Sequence, residues 1–433
     1  WIARAYRSPD LAAAEALTRR ALDVARAAGD IDLELVALSQ LGLTLVGKGE
    51  TEAGFALLDE ATAAALAGER RSLDTVVYAC CDMLNACEMT GDLERAAQWC
   101  RVADDFVAVY GCPFLNAECR IFYGSVLAAR GRWEDADREL AAGLRMTDGN
   151  CPSLHARALS RLAGLRVRQG RLEEAADLLA RLGGGVEAQE EMALSLAALL
   201  LARGDPLAAS RNLEQRLHRL AEHRVQLVAA LELLVDAHIA AGELAAATLV
   251  AERLARVVTP AGDDRLGAAV SAAGGRVALA CGDAGAAVER LERALAVWSR
   301  LERPFEVARA RYDLGRALAS SAREVAIEHA RGALAAMEGL GAALDADRVA
   351  AYLRSLGVSA RTGAKGVGLL TAREQEVLRL LGAGLSNPEI AQRLHVTRKT
   401  ASHHVSNILG KLDLRNRAEA AAFATRELGK SEE

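Results

Sequence analysis

A chain of 433 residues is longer than one domain normally runs, so two or three domains are expected. Apolar residues make up 52%, aromatics only 4%, and there are 7 prolines. That composition, rich in the helix formers Ala, Leu, Arg and Glu, excludes a disordered chain and points to an all-α protein. A net charge of −5 excludes a polycation that would coat nucleic acid with its whole surface.

The charge is unevenly divided. Residues 370–433 hold ten Lys+Arg against eight Asp+Glu, whereas residues 1–369 hold 43 against 50. Between 398 and 417, Arg398, Lys399, Lys411, Arg415 and Arg417 face only Asp413. A basic patch on an acidic body fits a nucleic-acid contact confined to one end.

The chain begins at Trp1 within a helical pattern, as expected of a piece of a longer protein. From about residue 8 to 357 one pattern recurs: an apolar helix, a turn glycine, a small-and-charged stretch, then a helix bearing Ala. GKGETEAGFALL (47–58), TGDLERAAQWC (90–100), RQGRLEEAADLL (168–179) and ACGDAGAAVERL (280–291) are examples. The turn glycines are Gly49, Gly91, Gly131, Gly170, Gly204, Gly242 and Gly282, with Ser320-Ser321 in a degenerate last copy. Each glycine permits the positive φ that ends a helix, and the small Ala four to five residues on lets the next helix pack closely. A helical hairpin with two apolar faces can cover only one by itself, so the copies are expected to stack into a superhelix with a concave surface for a ligand or partner. A spacer or oligomerisation scaffold is the other reading of such an array.

Within it, Gly42 to Gly49 fits GxxxxGK, but Gly49 stands where a phosphate loop needs Ser or Thr, and the preceding residues read as helix rather than strand. No metalloprotease, nucleophile-elbow or dinucleotide motif occurs, so no enzyme is expected. Five histidines (155, 218, 223, 238, 329) are scattered as helix-surface or core residues. Seven of the eight cysteines lie between Cys80 and Cys151 without a CxxC pair, which reads as a reducing cytoplasm and buried small side chains. The longest apolar run, Met192 to Ala202, is 11 residues, too short to span a bilayer. Residues 359–368, SARTGAKGVG, read as a flexible linker. The expected division is therefore an array over 1–358, the linker, and a C-terminal domain over 369–433.

That last domain carries four helix signatures. Thr371 and Glu374 form a capping box before Val377, Leu378, Leu380 and Leu381, and Gly382-Ala-Gly384 stops the helix. Ser386 caps a second helix with Glu389 at N3 and Pro388 in the first turn, and Ile390, Ala391 and Leu394 point inward. Thr397 caps a third, with Ala401, Val405, Ile408 and Leu412 as its core stripe. Its outer face carries Arg398, Lys399, Ser402, His403 and Ser406, flanked by Thr400, His404, Asn407 and Lys411. Small polar side chains that reach base edges, with cations at the ends for phosphates, suit a helix seated in the major groove. A fourth helix from Arg417 to about Glu427 offers Ala420, Ala421 and Phe423 for packing.

LTAREQEVLRLL, GLSNPEIAQRL and VTRKTASHHVSNILGKL together resemble the LuxR-type helix-turn-helix domain over 369–427. The resemblance implies a four-helix DNA-binding domain whose helix-turn-helix spans Asn387 to Ser406, acting as a dimer on paired half-sites. It implies base reading by Ser402, His403 and Ser406. Phosphate contacts fall to Ser386, Asn387, Thr397, Arg398, Lys399, Thr400, Asn407 and Lys411. Ala401-Ser402 stands where members often have Val-Lys. Array, linker and tail together resemble the C-terminal part of the MalT-like, large ATP-binding LuxR regulators. This implies a bacterial, cytoplasmic transcriptional activator in which an inducer or protein on the array controls self-association and paired tails recruit RNA polymerase. No cofactor is expected in this chain itself; the resemblance places ATP in an upstream domain. The competing reading is an interaction scaffold whose tail does not touch DNA.

Overall fold

In the computed structural model the described residues are 2 and 10–428, apart from 91, 112, 150, 183–185, 221–223, 259–263, 361–371, 395, 412–413 and 415. Within helices, the side chains of 88, 113, 186–191, 224, 372–373, 375, 399–400, 403, 406–407, 410–411 and 425–428 also lie outside the described set. Among the described residues the protein is all-α, without a strand, and no helix is long and apolar enough to cross a membrane. It divides into two compact units, 1–342 and 343–433.

The first unit opens with α1 (Leu11–Ala28) and continues as eight helical hairpins. These are α2 (Ile31–Gly47) with α3 (Thr51–Ala67), α4 (Asp74–Thr90) with α5 (Leu93–Tyr110), α6 (Pro113–Ala129) with α7 (Trp133–Thr147), and α8 (Pro152–Arg168) with α9 (Leu172–Ala180). They continue as α10 (Val186–Ala202) with α11 (Pro206–Glu214), then, after the short α12 (Leu217–Leu220), α13 (Arg224–Ala241) with α14 (Leu244–Val257). The last two are α15 (Asp264–Ala280) with α16 (Ala284–Arg300), and α17 (Pro304–Leu318) with α18 (Arg323–Leu340).

The repeat pattern explains each hairpin. The turn glycines at 49, 131, 170, 204, 242 and 282 all have φ between 77° and 88°, where an L side chain is strained; Gly91 lies outside the described residues. After two of them, Asp205 and Asp283 cap the next helix by accepting from Ala208 N–H and Ala286 N–H at 3.0 Å. Asp92 does the same for Arg95 N–H at 3.0 Å. Five residues after each turn glycine comes Ala96, Ala136, Ala175, Ala209, Ala247 or Ala287, and Ala326 occupies the same register in the last copy; all are fully buried. In the first hairpin that register holds Gly54. A Cβ added there would lie 2.6 Å from Gly42 O, so two backbones touch where a methyl would not fit.

Gly42 to Gly47, the residues that mimic a phosphate loop, are thus part of the α2–α3 crossing. Lys48 Nζ is held by Glu15 and Glu50, each at 2.7 Å. Cys80, Cys87, Cys100 and Cys119 are buried, Cys81 and Cys151 partly so, and Cys281 is exposed; Cys112 lies outside the described residues. Burial leads the upward shift of the Cys81 and Cys87 thiols, which keeps them protonated and unreactive.

Two long-range features could not be read locally. The array coils until the α6–α7 turn meets the α16–α17 turn: Arg130 pairs with Glu302, and the Trp133 and Phe305 rings lie 5.7 Å apart. Inside the C-terminal half, Asp236 on α13 pairs with Arg276 at 2.7 Å and Arg309 at 2.9 Å.

The second unit begins with α19 (Ala343–Ser355) and includes α20 (Ala372–Gly382), α21 (Asn387–Arg393), α22 (Arg398–Lys411) and α23 (Arg417–Leu428). Sequence places the domain boundary at 358/359, whereas α19 groups with the second unit; residues 361–368 of the expected linker lie outside the described ones.

Candidate nucleic-acid interface

The inward stripes of α20–α23 meet in one small core. Val377, Leu378 and Leu381 of α20 join Ile390 and Ala391 of α21, and Ala401, Val405 and Ile408 of α22; Ala420, Phe423 and Ala424 of α23 complete it. Leu380 packs at the margin, Leu394 closes the turn, and Leu412 lies outside the described residues. Gly384 takes φ 82° after α20 ends. Burying Ala401, Val405 and Ile408 fixes the rotation of α22 about its axis.

Ser386 stands at the start of α21, exposed. Its N–H and hydroxyl both donate to Glu389, at 2.7 and 2.5 Å. The Ser386 hydroxyl and then its N–H hold the Glu389 carboxyl below its ordinary value. Thr371, the expected cap of α20, lies outside the described residues, while Glu374 is buried. His395 of the expected turn is also outside them, and Val396 N–H closes on Ala391 O at 2.9 Å.

Seven residues of α21, a short turn and fourteen of α22 form the helix-turn-helix. Thr397 and Arg398 are exposed at the N-terminus of α22. Ser402 is half-buried and accepts a hydrogen bond from Asn387 Nδ2 at 3.1 Å. A hydroxyl that accepts this bond can still donate one of its own. His404 is half-buried, and its Nδ1 is buried with no hydrogen bond among the described residues. Lys399, Thr400, His403, Ser406, Asn407 and Lys411 lie on α22, but their side chains are outside the described set.

The residue that sequence reasoning missed is Arg417. In the sequence it is one more cation of the basic patch, yet its Nη1 donates to Asn387 Oδ1 at 2.9 Å and its Nη2 to Leu385 O. Arg417 thereby orients Asn387, and Asn387 orients Ser402, so the first residue of α23 positions a residue of α22. Thirty residues separate Arg417 from Asn387, and no periodicity signals a pair at that distance. Arg417→Ala leaves the Asn387 and Leu385 oxygens without their charged donor. We expect about 1.5–3 kcal/mol of lost domain stability, less where water replaces the donor. Arg417→Lys keeps the charge but not the fork and should recover only part of it. Calorimetry of the three proteins measures this.

Residues 368–424 match the profile described as bacterial regulatory proteins, luxR family. Transcriptional regulatory protein LnrK of Bacillus subtilis (strain 168) is 53% identical over 57 residues, which is 13% of this chain and 26% of that protein. Response regulator protein VraR of Staphylococcus aureus (strain Mu3 / ATCC 700698) is 50% identical over 56 residues, 13% of this chain and 27% of VraR. The chain thus spans about a quarter of the length of these relatives. A solved Rap protein complexed with competence and sporulation factor aligns at TM-score 0.47 and 14% identity, covering 75% of this chain and 98% of that one. The human IFIT1 dimer with PPP-AAAA aligns at TM-score 0.40 and 13% identity, covering 93% and 91%. Neither likeness reaches a level from which a ligand or partner follows. The buried helix-turn-helix core and the sequence match cover the same residues: 368–424 form a helix-turn-helix domain that matches the luxR family of bacterial regulatory proteins, C-terminal to a tetratricopeptide-like helical array.

Proposed function

We propose that the protein is a transcriptional regulator, an activator, that binds duplex DNA sequence-specifically by seating α22 in the major groove. The observation that carries this is the luxR-family match over 368–424, on a domain whose α22 has its core stripe buried and Thr397 and Arg398 exposed at its start. In this reading Ser402, His403 and Ser406 read bases. Ser386, Asn387, Thr397, Arg398, Lys399, Thr400, Asn407 and Lys411 grip phosphates and fix the register. A dimer or higher assembly joins two weak half-site contacts into one strong one. An inducer or protein partner on the array controls that assembly, and the paired tails recruit RNA polymerase in the cytoplasm. The array-plus-tail order supports the MalT-like subtype.

The test is selection of bound duplexes from a random pool by the full chain, beside Lys399→Ala/Lys411→Ala. An enriched inverted repeat is expected. The double variant should bind it more weakly, with the slope of log K against log salt smaller by about 2, near 0.9 for each phosphate that is no longer neutralised. A folded chain that enriches no sequence would favour the scaffold reading instead.

A further inference from the structure

Where the α6–α7 turn meets the α16–α17 turn, the array encloses a groove of about 1260 Å³. Trp99, Tyr123, Arg95, Arg130 and Arg303 line it, and Arg265 lies in its continuation. The carboxylates along this wall are engaged: Asp59 and Asp92 by Arg95, Glu94 and Glu302 by Arg130, and Asp264 by Arg300. Two guanidinium groups are held less closely. Arg303 Nε and Nη1, and Arg265 Nε and Nη2, are buried and make no hydrogen bond, although the Arg303 side chain is only 12% exposed. The nearest carboxylate, Glu306, stands 4.0 Å from Arg303 and 3.7 Å from Arg168, beyond hydrogen-bond length from both. Burial lowers the Arg303 pKa, and the charges of Arg265, Arg168 and Arg130 press in the same direction against Glu306. Arg303 also directly precedes α17, a helix of 15 residues whose N-terminus adds positive partial charge.

Buried donors are normally hydrogen-bonded, and a cluster of guanidinium groups with unbonded donors beside a groove favours a further anionic acceptor. Arg276 also has buried donors without a hydrogen bond, but its counter-ion Asp236 stands at 2.7 Å, against 4.0 Å for Arg303 and Glu306. Guanidinium forks match the planar or tetrahedral oxygens of carboxylate and phosphate.

We propose that this groove is a ligand site in which Arg303 and Arg265 receive the oxyanion, phosphate or carboxylate, of a small molecule, with Trp99 and Tyr123 beside its remainder. The site deepens the reading that the array takes an inducer and names its chemical class. It stands or falls independently of DNA binding.

The experiment uses the full chain without DNA and follows tryptophan fluorescence, to which Trp99 in the groove contributes. Pyrophosphate, inorganic phosphate and succinate are titrated separately at matched ionic strength, with sodium chloride as the reference. Saturable binding of at least one oxyanion is expected, about tenfold weaker or worse in both Arg303→Gln and Arg265→Gln. It should be unchanged in Arg256→Gln, which alters an exposed arginine on α14. Phosphate against succinate separates the two sources of the oxyanion. Equal affinity in all variants, a response reproduced by sodium chloride, or no saturation by any probe would overturn the site. If Arg303→Gln fails to fold, Arg303→Lys and Arg265→Gln carry the same comparison. Oxyanion binding that leaves DNA affinity unmoved would keep the site and remove only its role as an inducer switch.

Discussion

Phe423→Ala is expected to destabilise the C-terminal domain by about 3–5 kcal/mol and so abolish DNA binding without touching a DNA-facing residue. Phe423 is 1% exposed and, with Ala420 and Ala424, closes the core against α20 and α22. It is also the only aromatic residue after 369, so nothing of comparable size can move into the void. A domain of roughly 60 residues has little stability to spare. The array offers an internal control, because the tryptophans at 99, 133 and 298 all lie in the first unit. Calorimetry of the full chain should show the low-enthalpy transition of the small domain shifted down or abolished. The tryptophan-reported transition should stay within a degree or two. A variant that unfolds the array as well, or leaves both transitions in place, would contradict the assignment of this core.

Asp236→Ala should have the next largest effect, this time on the array. The carboxylate is ion-paired with Arg276 at 2.7 Å and accepts from Arg309 Nη2 at 2.9 Å, and its removal takes that counter-charge from one guanidinium that is 12% exposed and another that is 39% exposed. Breaking a fully buried pair on one side costs roughly 3–5 kcal/mol, and the partial exposure of Arg309 places the expectation at the lower end. Burial acts to raise the Asp236 pKa, but the charges and hydrogen bonds of Arg276 and Arg309 outweigh it and hold the group below its ordinary 3.8. A lowered folded-state pKa means that the contribution is complete above the ordinary value and is lost as pH falls through the shifted one. Urea denaturation should therefore separate wild type from Asp236→Ala at pH 7, with the gap narrowing only below pH 3.8. Neighbouring Glu232 and Asp313 shift the other way, with burial as the leading cause in each. Their contribution is full below the ordinary carboxylate range and is lost as pH rises through their raised values. Glu232→Gln should accordingly raise array stability at pH 7, the opposite sign from Asp236→Ala. A loss of stability in both variants would refute the pKa ordering of the cluster.

Much of this architecture is legible because it is local. A glycine that ends one helix and an alanine five residues later that accepts the next are separated by less than two helical turns. Their meaning therefore depends on helix geometry alone. Ala136, Ala175, Ala209, Ala247 and Ala287 are all fully buried for that reason. The core stripe Ala401, Val405, Ile408 follows from the 3.6-residue period in the same way, and the Ser386–Glu389 contact from capping geometry. The sequence match to the luxR family lies over the same stretch.

What sequence did not reveal lies between residues far apart in the chain. The tie from Arg417 through Asn387 to Ser402 needs three helices already in place. Which repeats face each other across the array depends on small rotations summed over several hairpins, so no single repeat encodes it. The sequence by itself determined the helices, their buried faces, the repeat register and the luxR-type tail, because each rests on spacings within one or two helical turns. Only the tertiary structure decided that Arg130 meets Glu302, that Asp236 pairs with Arg276 and Arg309, and that Arg303 and Arg265 have donors without a hydrogen bond beside a groove. Charge pairing at such separations is set by the path of the whole array.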